Sequence, residues 1–407
     1  MKQWRQYRLI DILDKIIDYR GKTPQKTDSG IPLITAKIIK DGRILPPNEF
    51  IAESNYDQWM VRGIPHEGDV VLTVEAPLGE VAQLGNEKIA LAQRVVTLRG
   101  KEGVLDNTFL KYFLMSQVGQ ARLKARETGT TVTGIKQSEL REVLIDCPEY
   151  DKQVQIASIL RSIDNKIENN RQINDNLEQQ AQALYKSWFV DFEPFKDGKF
   201  IDSELGIIPE GWKILPLSSL GSIICGKTPS KSNKDFYDGN IPFIKIPDMH
   251  NKIFVSNSED HLSDLGMNSQ RNKTIPPYSI LVSCIATVGL VCINTKVCQT
   301  NQQINTLIPY EDNYRIYLFL FLKSLREQLI TLGSGGTTTL NVNTSQFSNL
   351  KIIVPDTKSL KAFSSIAESL FQRINNNCDT NYMLSNLRDM ILPKLMSGEL
   401  KINDLDC

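Results

Sequence analysis

Residues 221–228 have the residue types and spacing of a phosphate-binding loop, because they read GSIICGKT and match the pattern G-x-x-x-x-G-K-T. In such a loop, backbone N–H groups and the lysine hold the phosphates of a nucleotide. Two features argue against nucleotide binding. Pro229 stands where the helix of such a loop begins, and it biases Thr228 away from helical geometry. A second GKTP, at residues 21–24, has Ile16 where the first glycine is required, so GKTP belongs to a repeated element.

Two other short motifs suggest catalysis, and neither has a complete set of residues. Residues 275–278 read IPPY, similar to the signature of adenine methyltransferases, but Ile275 cannot hydrogen-bond to a target amine. Residues 148–149 with 164–166 loosely resemble a nuclease pattern, but the second part lies in a heptad pattern, so metal ligands would not converge. We therefore predict no catalytic residue in this chain.

The cysteines and histidines do not have the spacing of a metal site. Seven cysteines lack paired C-x-x-C spacing and there are only three histidines, so we expect no metal and no cofactor. Scattered thiols fit a reducing cytosol. The N-terminus lacks the apolar run of a signal peptide, and the longest apolar stretch, residues 316–322, is too short to cross a bilayer. We expect a cytoplasmic protein without membrane contact.

Length and charge indicate a soluble protein of more than one domain. The sequence is 41% hydrophobic and 23% charged, as in soluble globular proteins. Its 407 residues are too many for one ordinary hydrophobic core. The formal net charge is +0, so no global basic field indicates a nucleic-acid binder. A large chain can nevertheless hold a basic stripe within a neutral total.

An internal duplication is the strongest feature of the sequence. GKTP at residues 21–24 recurs at 226–229, and GIPLI at 30–34 is matched by NIPFI at 240–244. Further matches are Trp4 with Trp212, residues 128–131 with 335–339, and the proline-ended apolar runs 144–148 and 352–355. Each copy is about half of the chain, too long for a solenoid unit, so we interpret it as a duplicated domain.

A long helix is predicted after each copy, at residues 152–189 and 358–392. Apolar residues alternate there at steps of four and three, the pattern of a coiled-coil face. The predicted seam comprises Ile156, Ile163, Ile167, Asn170, Asn174 and Leu177 in the first helix, and Leu370, Ile374, Asn377, Asn381 and Leu384 in the second.

The seam asparagines occupy matched positions in the two copies. Asn377 and Asn381 each lie 207 residues after Asn170 and Asn174, respectively. A polar residue in such a seam lowers stability and typically fixes register and partner. We therefore predict that the two helices, each spanning about 55 Å at about 1.5 Å per residue, pack antiparallel and give the repeat a pseudo-two-fold axis.

In this order, the elements resemble the specificity subunits of type I restriction-modification enzymes over essentially the whole chain. The resemblance depends on the GKTP and GIPLI elements, on Gly129-Thr130-Thr131 before a helix, and on the segments QVQIA (153–157), YKSWF (185–189) and LPKLMSGEL (392–400). The second copy departs from the pattern at Asn240 and at residues 358–362.

The resemblance implies two target-recognition domains, each followed by a helical spacer. It also implies that the paired helices dock two DNA methyltransferase subunits, and that two motor-nuclease subunits join the full complex. The methyltransferases of such systems modify an adenine in each half of a split target and flip it out of the stack.

Basic, hydroxyl and amide side chains beside the repeated loops are candidates for DNA contact. Lysine and arginine neutralise phosphates, whereas amides, hydroxyls and bidentate arginines read base edges. The candidates of the first domain are Arg20, Lys22, Thr23, Lys26, Lys37, Arg43, Lys124, Arg126, Thr130, Thr131 and Lys136. Those of the second domain are Lys227, Thr228, Lys231, Lys234, Lys245, Thr337, Thr338 and Asn341. A solvated basic face is the alternative for any single residue.

The sequence thus predicts a mixed α/β (α+β) chain with two target-recognition domains separated by two long antiparallel helices. The predicted boundaries are 1–150 and 191–355 for the domains, with helical regions at 151–190 and 356–407. Strands are expected at 69–74, 95–98, 280–283 and 304–308.

The predicted function is non-catalytic reading of a bipartite, asymmetric double-stranded DNA target, together with scaffolding of the methyltransferase and restriction subunits. The half-sites should differ because loop 24–30 differs from loop 229–240. Two alternatives remain: a DNA-dependent ATPase that uses residues 221–228, and a protein-only helical adaptor that never touches DNA.

Overall fold

The chain forms two units in the computed structural model, which describes residues 4–129, 133–334 and 340–400. The first unit combines Met1–Glu168 with Asn381–Cys407, and the second is Asn169–Thr380. Both units therefore contain strands, short helices and part of each of two long helices.

A four-stranded antiparallel sheet forms the centre of the first unit. The strand order is Leu13–Asp18, Val95–Gly100, Val70–Val74 and Leu78–Gln83. The other strands are Arg5–Arg8 paired with Leu144–Cys147, Phe50–Ile51 with Ile31–Ile34 and Ala90–Leu91, and Ile39–Lys40 with Arg43–Ile44. The short helices are Leu9–Ile12, Tyr56–Trp59, Asn107–Met115, Gln117–Lys124 and Gln137–Arg141. Val70, Leu72 and Phe109 share one buried cluster, so the helix Asn107–Met115 lies against this sheet.

The second unit contains a five-stranded sheet at its centre. The strand order is Gly221–Cys225, Ile304–Pro309, Ile280–Ser283, Val291–Asn294 and Phe254–Val255. The other strands are His261–Leu262 with Tyr237–Ile244 and Gln299–Thr300, Lys213–Pro216 with Lys351–Val354, and Phe200–Ser203 with Gly206–Pro209. The short helices are Ile246–Met249, Asp264–Ser269, Arg315–Ser324, Arg326–Gly333 and Thr344–Ser348.

The two units repeat the same connections, which confirms the duplication seen in the sequence. In both, a strand that precedes GKTP pairs with a long later strand, and that strand pairs with the first arm of a hairpin. The strands predicted at 69–74, 95–98, 280–283 and 304–308 are confirmed, with bounds that differ by two residues at most.

The most apolar stretch of the sequence forms the buried helix Arg315–Ser324. Every residue from Ile316 to Leu322 is buried in the core of the second unit, which explains why it is apolar on all sides. Within the described ranges, no helix combines the length and apolar character that crossing a bilayer requires.

The first long helix spans Tyr150–Phe189 and the second Thr357–Ser397. Asp356 caps the second helix, because its carboxylate accepts hydrogen bonds from the Ser359 backbone N–H at 3.0 Å and from the Trp212 indole at 3.2 Å. Trp212, the residue that opens the second copy in the sequence, therefore connects that domain to the start of its helix.

The two long helices run antiparallel within the second unit. Asn377 donates its amide to Asn174 Oδ1 at 2.8 Å, and further along the pair the rings of Phe189 and Phe363 lie 4.8 Å apart. From the first contact to the second, the residue number rises along the first long helix and falls along the second. Asn174 also donates to Cys378 Sγ at 3.6 Å, so its side chain has partners although it is buried.

The two long helices also run antiparallel within the first unit. Asn381 Nδ2 donates to the Ile167 carbonyl at 3.4 Å, and Arg388 Nη1 donates to Asp164 Oδ1 at 3.0 Å. The other oxygen of Asp164 accepts from Tyr112 at 2.7 Å and from Lys111 at 3.1 Å. This carboxylate thus connects both long helices with the domain helix Asn107–Met115. The predicted antiparallel pairing is confirmed in each unit.

The predicted seam residues lie along these contacts with different degrees of burial. The buried members are Ile156, Ile163, Ile167, Asn170, Asn174, Leu177 and Ile374. The half-buried members are Leu370, Asn377, Asn381 and Leu384.

Candidate nucleic-acid interface

The first GKTP element is an exposed turn held by its last two residues. Gly21 has a φ of 83°, which favours glycine. Thr23 Oγ1 donates to Gln93 Oε1 at 3.4 Å, and Pro24 is buried. Lys22, between Gly21 and Thr23, is exposed to solvent. The turn therefore presents the lysine while the threonine and proline attach it to the domain.

The second GKTP element is attached in the same way. Thr228 Oγ1 donates to Gln302 Oε1 at 2.8 Å, Pro229 is buried and Lys227 is exposed. Lys227 also donates its backbone N–H to Thr300 O at 2.9 Å and accepts from Gln270 Nε2 at 2.6 Å. The threonine–glutamine contact is thus duplicated with the motif.

This geometry rules against a phosphate-binding loop at residues 221–228. Gly221–Cys225 is itself a β-strand paired with Ile304–Pro309, so the region that should curve around phosphate is extended. A Cβ on Gly226 would lie 2.2 Å from the Asn301 carbonyl oxygen. This glycine serves close packing of two backbones. The helix that should follow is replaced by a short 3-10 turn at Lys234–Phe236.

A hairpin beside each GKTP turn was not predicted from the sequence. Each hairpin has an alanine with positive φ, 49° at Ala76 and 65° at Ala286. The hydroxyls of Thr73 and Ser283 accept from the backbone N–H groups of Glu80 and Leu290, both at 2.9 Å. A repeated Ala-x-x-Gly, at residues 76–79 and 286–289, was the available signal.

A third segment lies against each hairpin. In the first unit Ile135 donates its N–H to Val74 O at 3.0 Å, and in the second Val342 donates to Cys284 O at 2.9 Å. The predicted contacts Thr130, Thr131, Thr337 and Thr338 lie outside the described residues. Asn341 is exposed and bridges to Ile285. Each unit therefore brings the GKTP turn, the hairpin and the third segment together.

Several predicted DNA contacts are paired with carboxylates. Lys26 and Lys37 share Glu49, with N–O distances of 2.7 and 3.6 Å. The other pairs are Arg20–Asp18, Arg43–Glu168, Arg126–Glu139 and Lys245–Asp260. The hydrogen bond from Lys26 lowers the pKa of Glu49 against the opposing effect of burial. Glu49 is therefore ionised and offsets part of the positive charge at this edge.

Other predicted contacts are exposed lysines with no ion pair among the described residues. They are Lys22, Lys124, Lys136, Lys227, Lys231 and Lys234. An exposed ammonium without a carboxylate partner can neutralise a phosphate without first breaking an internal pair. These six lysines are the strongest candidates for contact with the phosphates of DNA.

Sequence reasoning missed other polar residues at the turns. Arg62 donates to the carbonyls of Asp18 and Arg20 at 3.0 and 2.8 Å, directly before the first GKTP. In the second unit Gln270 binds the Lys227 carbonyl, and the exposed Arg271 follows it. These contacts join residues about 40 positions apart, so no local pattern could reveal them.

No metal centre emerges from the geometry. Across the described ranges, no three histidine, cysteine, aspartate or glutamate side chains are grouped so that they could hold a metal ion. Burial raises the pKa of the thiols of Cys292 and Cys298 to about 12, so both are held as thiols at neutral pH.

Comparison with known proteins defines the class. The family model described as type I restriction modification DNA specificity domain matches the chain twice, at residues 1–179 and 209–389. The chain therefore belongs to the type I restriction-modification specificity family, which confirms the resemblance read from its motifs.

Individual relatives agree with this assignment. The chain is 38% identical to the type I restriction enzyme HindI specificity subunit of Haemophilus influenzae, over 73% of this chain and 76% of the relative. It is 30% identical to the MjaIX specificity subunit of Methanocaldococcus jannaschii, over 87% and 82%. The crystal structure of a type I restriction-modification S subunit from M. genitalium has the same fold, with a TM-score of 0.59, 15% identity and 96% coverage of each chain.

Proposed function

We propose that this chain reads a split double-stranded DNA target with two unlike half-sites and has no catalytic centre of its own. The observation that carries the proposal is the duplicated arrangement of a GKTP turn, a hairpin and a third segment, with an exposed lysine on each turn. Lysines at such turns supply affinity for phosphate, and the loops around them supply the contacts to bases.

Differences between the loops support unlike half-sites. The loop that follows Pro24 is short, whereas the loop that follows Pro229 is longer and contains the helical turn Lys234–Phe236, capped by Asn233. Different loops on one framework present different side chains to the groove, which is the requirement for reading different bases.

The proposal extends to the partners. Two methyltransferase and two motor-nuclease subunits would join the chain, and the second long helix offers them an apolar face. Tyr382, Met383 and Met390 on that helix are more than half exposed, at 60%, 68% and 58%. Large apolar side chains that face water on one helix are typical of an interaction surface. Such a complex would work in the cytoplasm, where its DNA lies.

The alternatives have less support. An ATPase needs a loop where Gly221–Cys225 forms a strand. A protein-only adaptor does not account for the six exposed lysines or for the two GKTP turns. Scaffolding of other subunits remains part of the proposal, and DNA reading is what distinguishes it from the adaptor.

The test is to assemble the chain with a type I methyltransferase that it accepts and to map the methylated adenines on genomic DNA. The expected motif has two defined halves of different sequence and an undefined gap. A matched exchange of residues 4–147 for those of a relative should change one half alone. Methylation without sequence preference, or a change in both halves, would overturn the proposal.

A further inference from the structure

The two units place two further pairs of residues on the same backbone framework. Val74 donates its N–H to the Arg94 carbonyl at 3.0 Å, and Cys284 donates to the Gln303 carbonyl at 2.8 Å. Arg94 and Gln303 are therefore equivalent. The residues that follow Val74 and Cys284, Glu75 and Ile285, are equivalent as well.

These positions lie between the repeated loops. Arg94 follows Gln93, the residue bound by Thr23 of the first GKTP turn, and Gln303 follows Gln302, the residue bound by Thr228. On the other side, Glu75 bridges to Gly134 in the third segment of its unit, as Ile285 bridges to Asn341. Each pair is thus at the centre of the candidate interface of its own unit.

The backbone is shared, but the side-chain chemistry is not. Glu75 and Arg94 form an ion pair at 3.8 Å, and their side chains are 37% and 48% exposed. In the second unit the same positions hold an apolar side chain, Ile285, and an amide, Gln303, whose oxygen accepts from Asn301 at 2.8 Å. Contacts that are repeated in both units cannot distinguish unlike half-sites. Discrimination must come from positions that differ.

We propose that these two pairs each read one base pair, at equivalent places in the two half-sites. In the first half-site, Arg94 donates to O6 and N7 of a guanine while Glu75 accepts from N4 of its cytosine. In the second, the amide of Gln303 engages N6 and N7 of an adenine while Ile285 contacts the methyl group of its thymine. The first pair therefore reads G·C and the second reads A·T.

The energetics of the free chain allow this exchange. An exposed ion pair at 3.8 Å is weak in water, so Arg94 can leave Glu75 for a guanine edge at little expense. An arginine bound to a fully buried carboxylate, such as Asp69 with Arg99, is not free to do so.

This inference rests on the proposed function. Its test exchanges the side chains at the equivalent positions of the two units. In the chain assembled with its methyltransferase, Glu75→Ile with Arg94→Gln should change one G·C position of the first half-site to A·T. The original sequence should lose roughly 10- to 100-fold in relative affinity. The reciprocal Ile285→Glu with Gln303→Arg should act on the second half-site only.

The matched control alters another exposed ion pair of the first unit. Glu53→Ile with Lys88→Gln removes another exposed ion pair of the first unit, 3.4 Å apart, and should leave the motif unchanged. Relaxed preference at a single position also supports the inference. A motif unchanged in both double variants, or altered at several positions, overturns it. If the unaltered chain shows no sequence preference, the proposed function itself fails.

Discussion

Asn377 donates its side-chain amide to Asn174 Oδ1 at 2.8 Å, so one predicted seam asparagine binds another across the paired helices. Asn174 is 8% exposed, and its side-chain oxygen is buried in the seam between the paired helices. The contact is polar where burial alone would favour leucine. Such a layer selects register at the expense of stability.

We predict that Asn377→Ala lowers the free energy of unfolding by about 1–3 kcal/mol, because the oxygen of Asn174 loses its donor. Replacing both residues with leucine should restore or exceed the original stability. Urea denaturation followed by helical circular dichroism measures both. Asn176→Ala, at an exposed position of the first long helix, which carries Asn174, should change stability by less than about 0.5 kcal/mol. A double variant less stable than Asn377→Ala would contradict this account of the layer.

The buried carboxylate of Asp164 should make the first unit sensitive to acid. Burial alone would raise its pKa, but the charge of Lys111 and hydrogen bonds from Tyr112 and Arg388 outweigh burial and lower the pKa below 3.8. A group with a lowered folded-state pKa stabilises the protein above its unfolded pKa. This contribution is full above about pH 4 and is lost as the pH falls through the lowered value.

We therefore expect Asp164→Asn to cost about 3 kcal/mol near neutral pH, since Lys111 and Arg388 lose their counter-charge. Its stability should also depend less on pH below about pH 4 than that of the unaltered chain. Thermal denaturation from pH 3 to 7 measures both effects. Asp389→Asn, which removes an exposed partner of Arg388, is the control and should be nearly neutral. Equal acid dependence in all three proteins would exclude Asp164 as its source.

Lys227 provides a test of phosphate contact. Lys227→Ala should weaken DNA binding and reduce the slope of log affinity against log salt by about 0.9, the value for one lost phosphate contact. It should remove no nucleotide affinity. Fluorescence anisotropy at several salt concentrations gives the slope. Lys358→Ala, exposed at the start of the second long helix, should leave it unchanged. A slope unaffected by Lys227→Ala would place this turn away from DNA.

Helix length should set the gap between the half-sites. Deleting one heptad from each long helix, residues 171–177 with 374–380, removes about 10 Å of helix at 1.5 Å per residue. At about 3.4 Å per base pair, the preferred gap should shorten by about 3 base pairs. Methylation mapping or a footprint measures the gap. Deleting the heptad from one helix alone breaks the register and should abolish binding. An unchanged gap after the paired deletion would show that helix length does not set the distance between the half-sites.

Much of the fold could be predicted from the sequence, because periodic patterns carry it. The heptads predicted both long helices, and the apolar runs around Val70–Val74 and Ile280–Ser283 predicted strands. The hairpin turns at Ala76 and Ala286 were missed, since alanine rarely adopts positive φ and only the repeat of Ala-x-x-Gly pointed to them.

The candidate site was predictable only in part. The GKTP lysines could be found because the motif is repeated. The ion pair between Lys26 and Glu49 joins two separate segments, so the lysine looked free in the sequence. Gln93 and Gln302 were missed for the same reason, because each meets its threonine about 70 residues away.

The first unit is completed by a segment that is translated after the whole second unit. Leu395 and Met396, near the end of the second long helix, belong to the same buried cluster as Ile156 and Phe109. During translation, Phe109 and Ile156 cannot pack against Leu395 and Met396 until the ribosome has synthesised the whole second unit. The nascent chain therefore carries an uncovered apolar surface until residues 391–396 emerge. A messenger cut short after residue 380 would yield a product that never closes that surface.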